Sequence, residues 1–150
     1  MILNQTAEYA FRAMACLAIC HKDGPMRASD LSERTNIPSF YLSKVMRRLV
    51  VAELVDSQRG RGGGFVLTRK PSEIRFADIL EAVDYHADQG RCAFGFGRCS
   101  EHDPCPLHNS WSELQTAFNT WASSHTLADA SDDRYLKQLL EQAAQNAQSG

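Results

Sequence analysis

The sequence predicts a mainly α-helical chain with a small β-hairpin, a winged helix-turn-helix followed by a long C-terminal dimerisation helix. Three observations carry that fold class. Residues 29–52 read as helix, tight turn and basic helix. Residues 54–68 place an arginine-bearing glycine tip between two short strand-like runs, and residues 111–122 carry an aromatic stripe at helical spacing.

Taken in order, Ala7, Ala10, Phe11, Met14, Leu17 and Ala18 recur at three-to-four spacing and predict a helix over residues 4–20, with Asn4 or Thr6 able to cap its start. Lys22-Asp23-Gly24-Pro25 ends it. Ser29 is placed to cap a short second helix, with Leu31 turned inward, until Asn36-Ile37-Pro38 forces a turn. The third helix, over residues 39–52, gathers Leu42, Val45, Met46 and Leu49 on one face. Ser39, Phe40, Ser43, Lys44, Arg47 and Arg48 fall largely on the others.

Two strands then flank Arg59-Gly60-Arg61-Gly62-Gly63-Gly64. Glycine supplies positive φ and removes Cβ bulk, so the two arginines can approach phosphates or enter a narrow minor groove. A nucleotide-binding glycine loop is disfavoured, because no Lys-Ser/Thr follows and the next element is a strand. Ile74 to Val83 fits a short amphipathic helix. Residues 84–110, with Gly90, Gly95, Gly97, Pro104 and Pro106, are too irregular for a core element. A further helix follows, in which Trp111, Leu114, Gln115, Phe118, Trp121 and Ala122 share a stripe suited to a partner helix in a dimer or to the chain's own core. A polar helix is expected over residues 133–147, with a fraying Gln/Asn/Ser-rich end. The domain expectation is a DNA-binding unit over 1–84, a cysteine-rich loop over 85–108 and a dimerisation helix with its tail over 109–150.

At 150 residues the chain has room for one small domain and an oligomerisation element. The net charge of −2 conceals +5 on residues 27–70 and −7 on the rest, a local basic footprint suited to a polyanion. No run of about 18 apolar residues suggests a membrane span, and the first residues lack a signal-peptide pattern. The expectation is a cytoplasmic protein whose five cysteines are reduced thiols or metal ligands. No hydrolase motif such as H-E-x-x-H occurs and the histidines share no helical face, so an enzyme is disfavoured.

The sharpest chemistry is Cys92-x6-Cys99-x5-Cys105-x2-His108. Three thiolates require a positive partner, and soft sulfur suits zinc or an iron–sulfur cluster. Tight C-x2–4-C pairs, usual for structural zinc, are absent, which favours the cluster. Cys16 and Cys20 share a face of the first helix but read as small core side chains.

AEYAFRAM (7–14), IPSFYLSKVMRRL (37–49), RGRGGGFVLTR (59–69), EAVD (81–84), TLAD (126–129) and the cysteine triad together resemble the Rrf2 family of bacterial winged-helix transcription regulators over nearly the whole chain. The resemblance implies a homodimer that binds double-stranded promoter DNA and a [2Fe–2S] or [4Fe–4S] cluster, with cluster status setting DNA affinity. The implied cluster ligands are Cys92, Cys99 and Cys105. One branch of the family completes the set with a histidine at the place of His108; by its nearness in the sequence His102 could replace it. Another uses an acidic residue of the partner subunit at the place of Glu8. The implied DNA contacts are Ser39, Phe40, Ser43, Lys44, Arg47, Arg59 and Arg61. The alternatives are a regulator with structural zinc or no metal, and a small iron–sulfur electron or cluster carrier.

Overall fold

A computed structural model describes residues 2–86, 91–131 and 134–149. Helix α1 (Gln5–Ile19) begins where Asn4 Oδ1 accepts the Ala7 N–H at 2.9 Å, which satisfies one of the donors a helix start leaves unpaired. It is the central element. Ala7, Ala10, Ala13, Met14, Ala15, Cys16, Leu17 and Ala18 are all buried, and α1 touches α2 (Ala28–Thr35), α3 (Ser39–Val51), α4 (Phe76–Ala82), α6 (Leu127–Ser131) and the second strand of the hairpin.

The helix-turn-helix forms as the sequence predicts, with one change at the start of α2. Arg27, not Ser29, occupies the N-cap position and no side chain caps the helix. Asn36 in the left-handed region (φ 53°) closes α2, a conformation that asparagine tolerates better than most residues. The buried Thr35 donates to Leu31 O, and Arg12 Nη1 reaches Thr35 O at 3.1 Å, tying α2 to α1. In α3 the buried residues are Leu42, Val45, Met46 and Leu49, the expected face.

Strands β1 (Val55–Gln58) and β2 (Gly64–Leu67) pair antiparallel from Val55↔Leu67 to Gln58↔Gly64. The hairpin is fastened to the helical body by a bridge between Met26 and Phe65, with Met26 N–H to Phe65 O at 3.0 Å and Phe65 N–H to Met26 O at 2.7 Å. Gly64 makes this approach possible. It lies at φ 151°, and a Cβ there would stand 2.5 Å from the Met26 backbone.

The helix expected over 74–83 is shorter, because Ile74 and Arg75 are extended and pair with a later segment. Arg75 bridges Thr126, Phe76 N–H donates to His125 O at 3.0 Å and Leu127 N–H to Ile74 O at 2.8 Å. These bonds anchor α5 (His108–Ser124) and α6 against α4. Only the C-terminal half of α5 joins the core. Phe118 and Trp121 pack against it and Ala122 is buried, whereas Leu114 is 53% exposed. Trp121 lies 6.1 Å from Phe11 and 5.1 Å from Phe76, ring centre to ring centre, so aromatic contacts weld α5 to α1 and α4.

Helix α7 (Arg134–Ser149) packs on α2, with Leu140 buried. Its expected first residue, Asp133, lies outside the described residues. The end persists as helix where composition predicts fraying, held at Gln148, whose Nε2 donates to Glu33 at 3.0 Å. Among the described residues no helix is long and apolar enough to cross a membrane.

Two outcomes follow from this packing. Gly64→Ala forces the hairpin off Met26, so amide exchange at Met26 and Phe65 accelerates while far-ultraviolet circular dichroism keeps its helical signature. Burial, with the neighbouring Cys20 adding to it, pushes the Cys16 thiol from 9.0 up to about 12. The unfolded chain therefore releases that proton first, and stability is lost as pH rises from about 9 toward 12. Cys16→Ala should flatten this limb in urea melts taken across that range.

Candidate metal centre and nucleic-acid interface

The cysteine segment is shaped by two glycines and one tryptophan. Gly95 (φ 74°) and Gly97 (φ 122°) let the chain double back after Cys92, so that Cys92 N–H donates to Gly97 O at 2.9 Å and Gly95 N–H to Cys92 O at 2.8 Å. Arg91 and Arg98 pair across the base of this turn. Trp111 Nε1, one turn into α5, donates to Arg91 O at 2.8 Å and holds the turn beside the start of that helix. His108 N–H bonds Cys105 O at 3.0 Å, so the histidine enters α5 directly from the third cysteine. Gly90 lies outside the described residues, with 87–89.

This fold brings the sequence-predicted donors together. Cys92 Sγ is 3.6 Å from Cys105 Sγ, and Cys99 Sγ is 2.8 Å from His108 Nδ1. All three thiols are half-buried and free. Desolvation first, then the proximity of Cys92 and Cys105, raises the Cys99 thiol above its ordinary range. Among the described residues no three His, Cys, Asp or Glu side chains converge on one ion-sized shell. The donors form two pairs. His102, the nearby alternative, is exposed, and its backbone N–H bonds Ser100 Oγ at 3.1 Å.

Glu8 stands elsewhere in the same chain. It is half-buried on α1, along a largely apolar groove of about 640 Å³ that also touches Leu3, Phe11, Phe76, Trp121 and Leu139. Cys16 is buried and Cys20 receives Arg34 Nη1 at 3.3 Å, so that pair belongs to the core and its edge.

The second constellation lies on α3 and the hairpin. Ser39, Phe40, Ser43, Lys44 and Arg47 are all exposed on α3. Arg59 and Arg61 are exposed at the tip, where Gly60 (φ 93°) and Gly62 (φ 77°) bracket Arg61. Gly63 has no room for a side chain, since a Cβ would lie 2.2 Å from Gln58 O. Neither arginine is spent on an ion pair among the described residues, where Arg75–Asp78 at 3.2 Å stands by itself.

Sequence reasoning passed over Arg69 and Met26. Arg69 shares a cleft of about 710 Å³ with Lys44, Arg47 and Arg48, facing Asp78, Glu81 and Asp84. The signal available was its place just beyond the second strand, within the basic stretch. Met26 sets the position of the hairpin through backbone atoms, which its side-chain chemistry does not announce.

Comparison with known proteins adds an independent line. The Rrf2 model, described as an iron-dependent transcriptional regulator, matches residues 3–133. The HTH-type transcriptional regulator IscR of Yersinia enterocolitica is 33% identical over 141 residues, covering 94% of this chain and 85% of that protein. IscR of Escherichia coli K12 is 35% identical over 129 residues, covering 86% of this chain and 79% of that protein. Among solved structures, T. potens IscR superposes with a TM-score of 0.69 at 26% identity, covering 86% of this chain and 85% of that one. CymR, the global cysteine regulator of B. subtilis, gives a TM-score of 0.74 at 24% identity over 87% and 96% of the two chains, a likeness of fold. The chain belongs to the Rrf2 family of transcriptional regulators, winged-helix DNA-binding proteins rather than enzymes.

Proposed function

We propose that this chain is a homodimeric transcription repressor of the cytoplasm whose affinity for promoter DNA is set by an iron–sulfur cluster held by Cys92, Cys99, Cys105 and His108. The observation that carries the reading is the gathering of three thiols and one imidazole at the foot of α5, by a turn whose glycines and whose bond to Trp111 place them there. A single structural zinc takes four donors around one point. Two pairs of donors would suit a two-iron cluster instead, and this favours [2Fe–2S] over [4Fe–4S]. A bound cluster supplies a redox-active, chemically labile centre, and the imidazole is the least thiolate-like of its corners. Glu8 is the alternative fourth ligand, donated by a partner subunit.

The DNA-contacting surface is assigned to the exposed face of α3, Ser39, Phe40, Ser43, Lys44 and Arg47, in the major groove, and to Arg59 and Arg61 of the wing on phosphates or in the minor groove. The exposed Leu114 in the first half of α5, with Leu107 just before the helix, marks the surface assigned to the second copy. The residues themselves link the two sites. The cysteine turn is bonded to Trp111, and ten residues along the same helix Trp121 packs on Phe11 and Phe76. Ordering or loosening the turn therefore acts on the helix that sets the separation of two α3 helices. A shift of about 1–3 kcal/mol in DNA affinity changes occupancy from severalfold to about a hundredfold.

Arg59→Ala with Arg61→Ala should lower promoter affinity and reduce the slope of log affinity against log salt by about two, while visible absorption stays unchanged. Unchanged affinity and slope contradict the wing assignment. Replacing Cys92, Cys99 or Cys105 by Ala should give colourless protein on anaerobic purification. Comparing His108→Ala with Glu8→Ala identifies the fourth ligand, the account expecting the altered spectrum in the histidine variant. Wild-type iron content in all three cysteine variants removes the triad as ligands.

A further inference from the structure

We infer that Phe40 and Lys44 are the sequence-reading pair of α3, the Phe40 ring taking the C5-methyl of a thymine and Lys44 a guanine about two base pairs away; this rests on the DNA-binding assignment above. Phe40 sits on the first turn of α3 and is 66% exposed, so the core does not account for it. The ring is nevertheless held. Tyr41 meets it edge-on at 5.6 Å and in turn lies 6.3 Å from Tyr9 of α1, while Lys44 Nζ, 4.3 Å from the ring centre, covers one face without being needed to hold it. A fixed apolar ring on the exposed face of this helix loses little freedom on binding.

The neighbouring hydroxyls are already engaged. Ser43 Oγ donates to Ser39 O at 2.9 Å, and Ser39 Oγ lies 3.4 Å from Ser32 Oγ. The reading surface therefore presents a phenyl ring and an ammonium before it presents a hydroxyl.

Their chemistry selects the bases. A phenyl ring has no donor or acceptor for a phosphate or a polar base edge, and the one apolar feature on a major-groove edge is the thymine methyl. An ammonium is donor only, and guanine offers O6 and N7 as paired acceptors there. Four residues of helix rise about 6 Å, close to two base-pair steps of about 3.4 Å. On DNA, Lys44 exchanges its place over the Phe40 ring for guanine, which uncovers the ring face for the methyl.

The test begins with the full-length protein and a random duplex library at one salt concentration, from which the preferred site is selected. Each thymine of that site is then replaced by deoxyuridine, which removes only the methyl, and each guanine by 7-deazaguanine, which removes N7. Expected is one thymine per half-site whose replacement weakens binding about fourfold, the worth of one buried methylene-sized group. A guanine within about two base pairs should be sensitive to the loss of N7. Phe40→Ala should abolish the deoxyuridine penalty and keep the deazaguanine penalty, and Lys44→Met should do the reverse. Circular dichroism of both variants should match the parent, since both side chains are exposed. A deoxyuridine penalty that survives in Phe40→Ala, or no sensitive thymine in the parent, overturns the inference and leaves DNA binding standing. Failure to select any site overturns the DNA-binding assignment and this inference with it.

Discussion

The structure depends first on how closely other elements can approach α1. Ala7, Ala10, Ala13, Ala15 and Ala18 are buried along it, and such small side chains let α2, α3, α4, α6 and the wing all reach one helix. A large residue at any of these positions must displace a neighbour, because a close-packed interior has no spare volume for it. The consequence is that α3, the wing and the C-terminal helices share one core.

That shared core joins the cysteine segment, through α5, to α3 and the wing. Helix α5 belongs to both ends of the molecule. Its first residue is His108, at hydrogen-bond distance from Cys99, and near its end Trp121 lies in an aromatic cluster with Phe11, Phe76 and Phe118. The segment following α5 is tied by backbone bonds to the residues at the start of α4, Phe76 N–H donating to His125 O and Leu127 N–H to Ile74 O, so α5 cannot move without carrying α4 or breaking them. The wing is fixed separately, through Met26 and the absence of a side chain at Gly64.

Much of this was readable in the sequence where the signal was local. The periodicity of α1 and α3, the left-handed Asn36 ahead of Pro38, and the run of glycines around Arg61 each state a backbone requirement within a few residues, and each is met. What was not readable rests on partners distant in the chain. Ile74 and Arg75 leave the helical pattern because they pair with Thr126 and Leu127. The end of α7 is helical because it lies on α2 and reaches Glu33, a tertiary effect that overrides a polar composition. The spacing of the cysteines showed a donor set. Its division into Cys92 with Cys105 and Cys99 with His108 depends on the turn at Gly95–Gly97 and on the Trp111 bond. The family resemblance named His108 and Glu8 alike; in one folded chain His108 stands with the thiols and Glu8 lies along a groove on α1, and a Glu8 donated by a partner subunit stays the alternative.

The central claim is that the cysteine–histidine quartet holds a two-iron cluster on a DNA-binding dimer. A native mass spectrum of protein purified without oxygen tests it directly, since one measurement reports both the metal content and the assembly. The account predicts a dimer in which each chain carries two irons and two sulfides. A dimer carrying one zinc per chain, or no metal at all, contradicts it and leaves a winged-helix regulator that answers to a different signal.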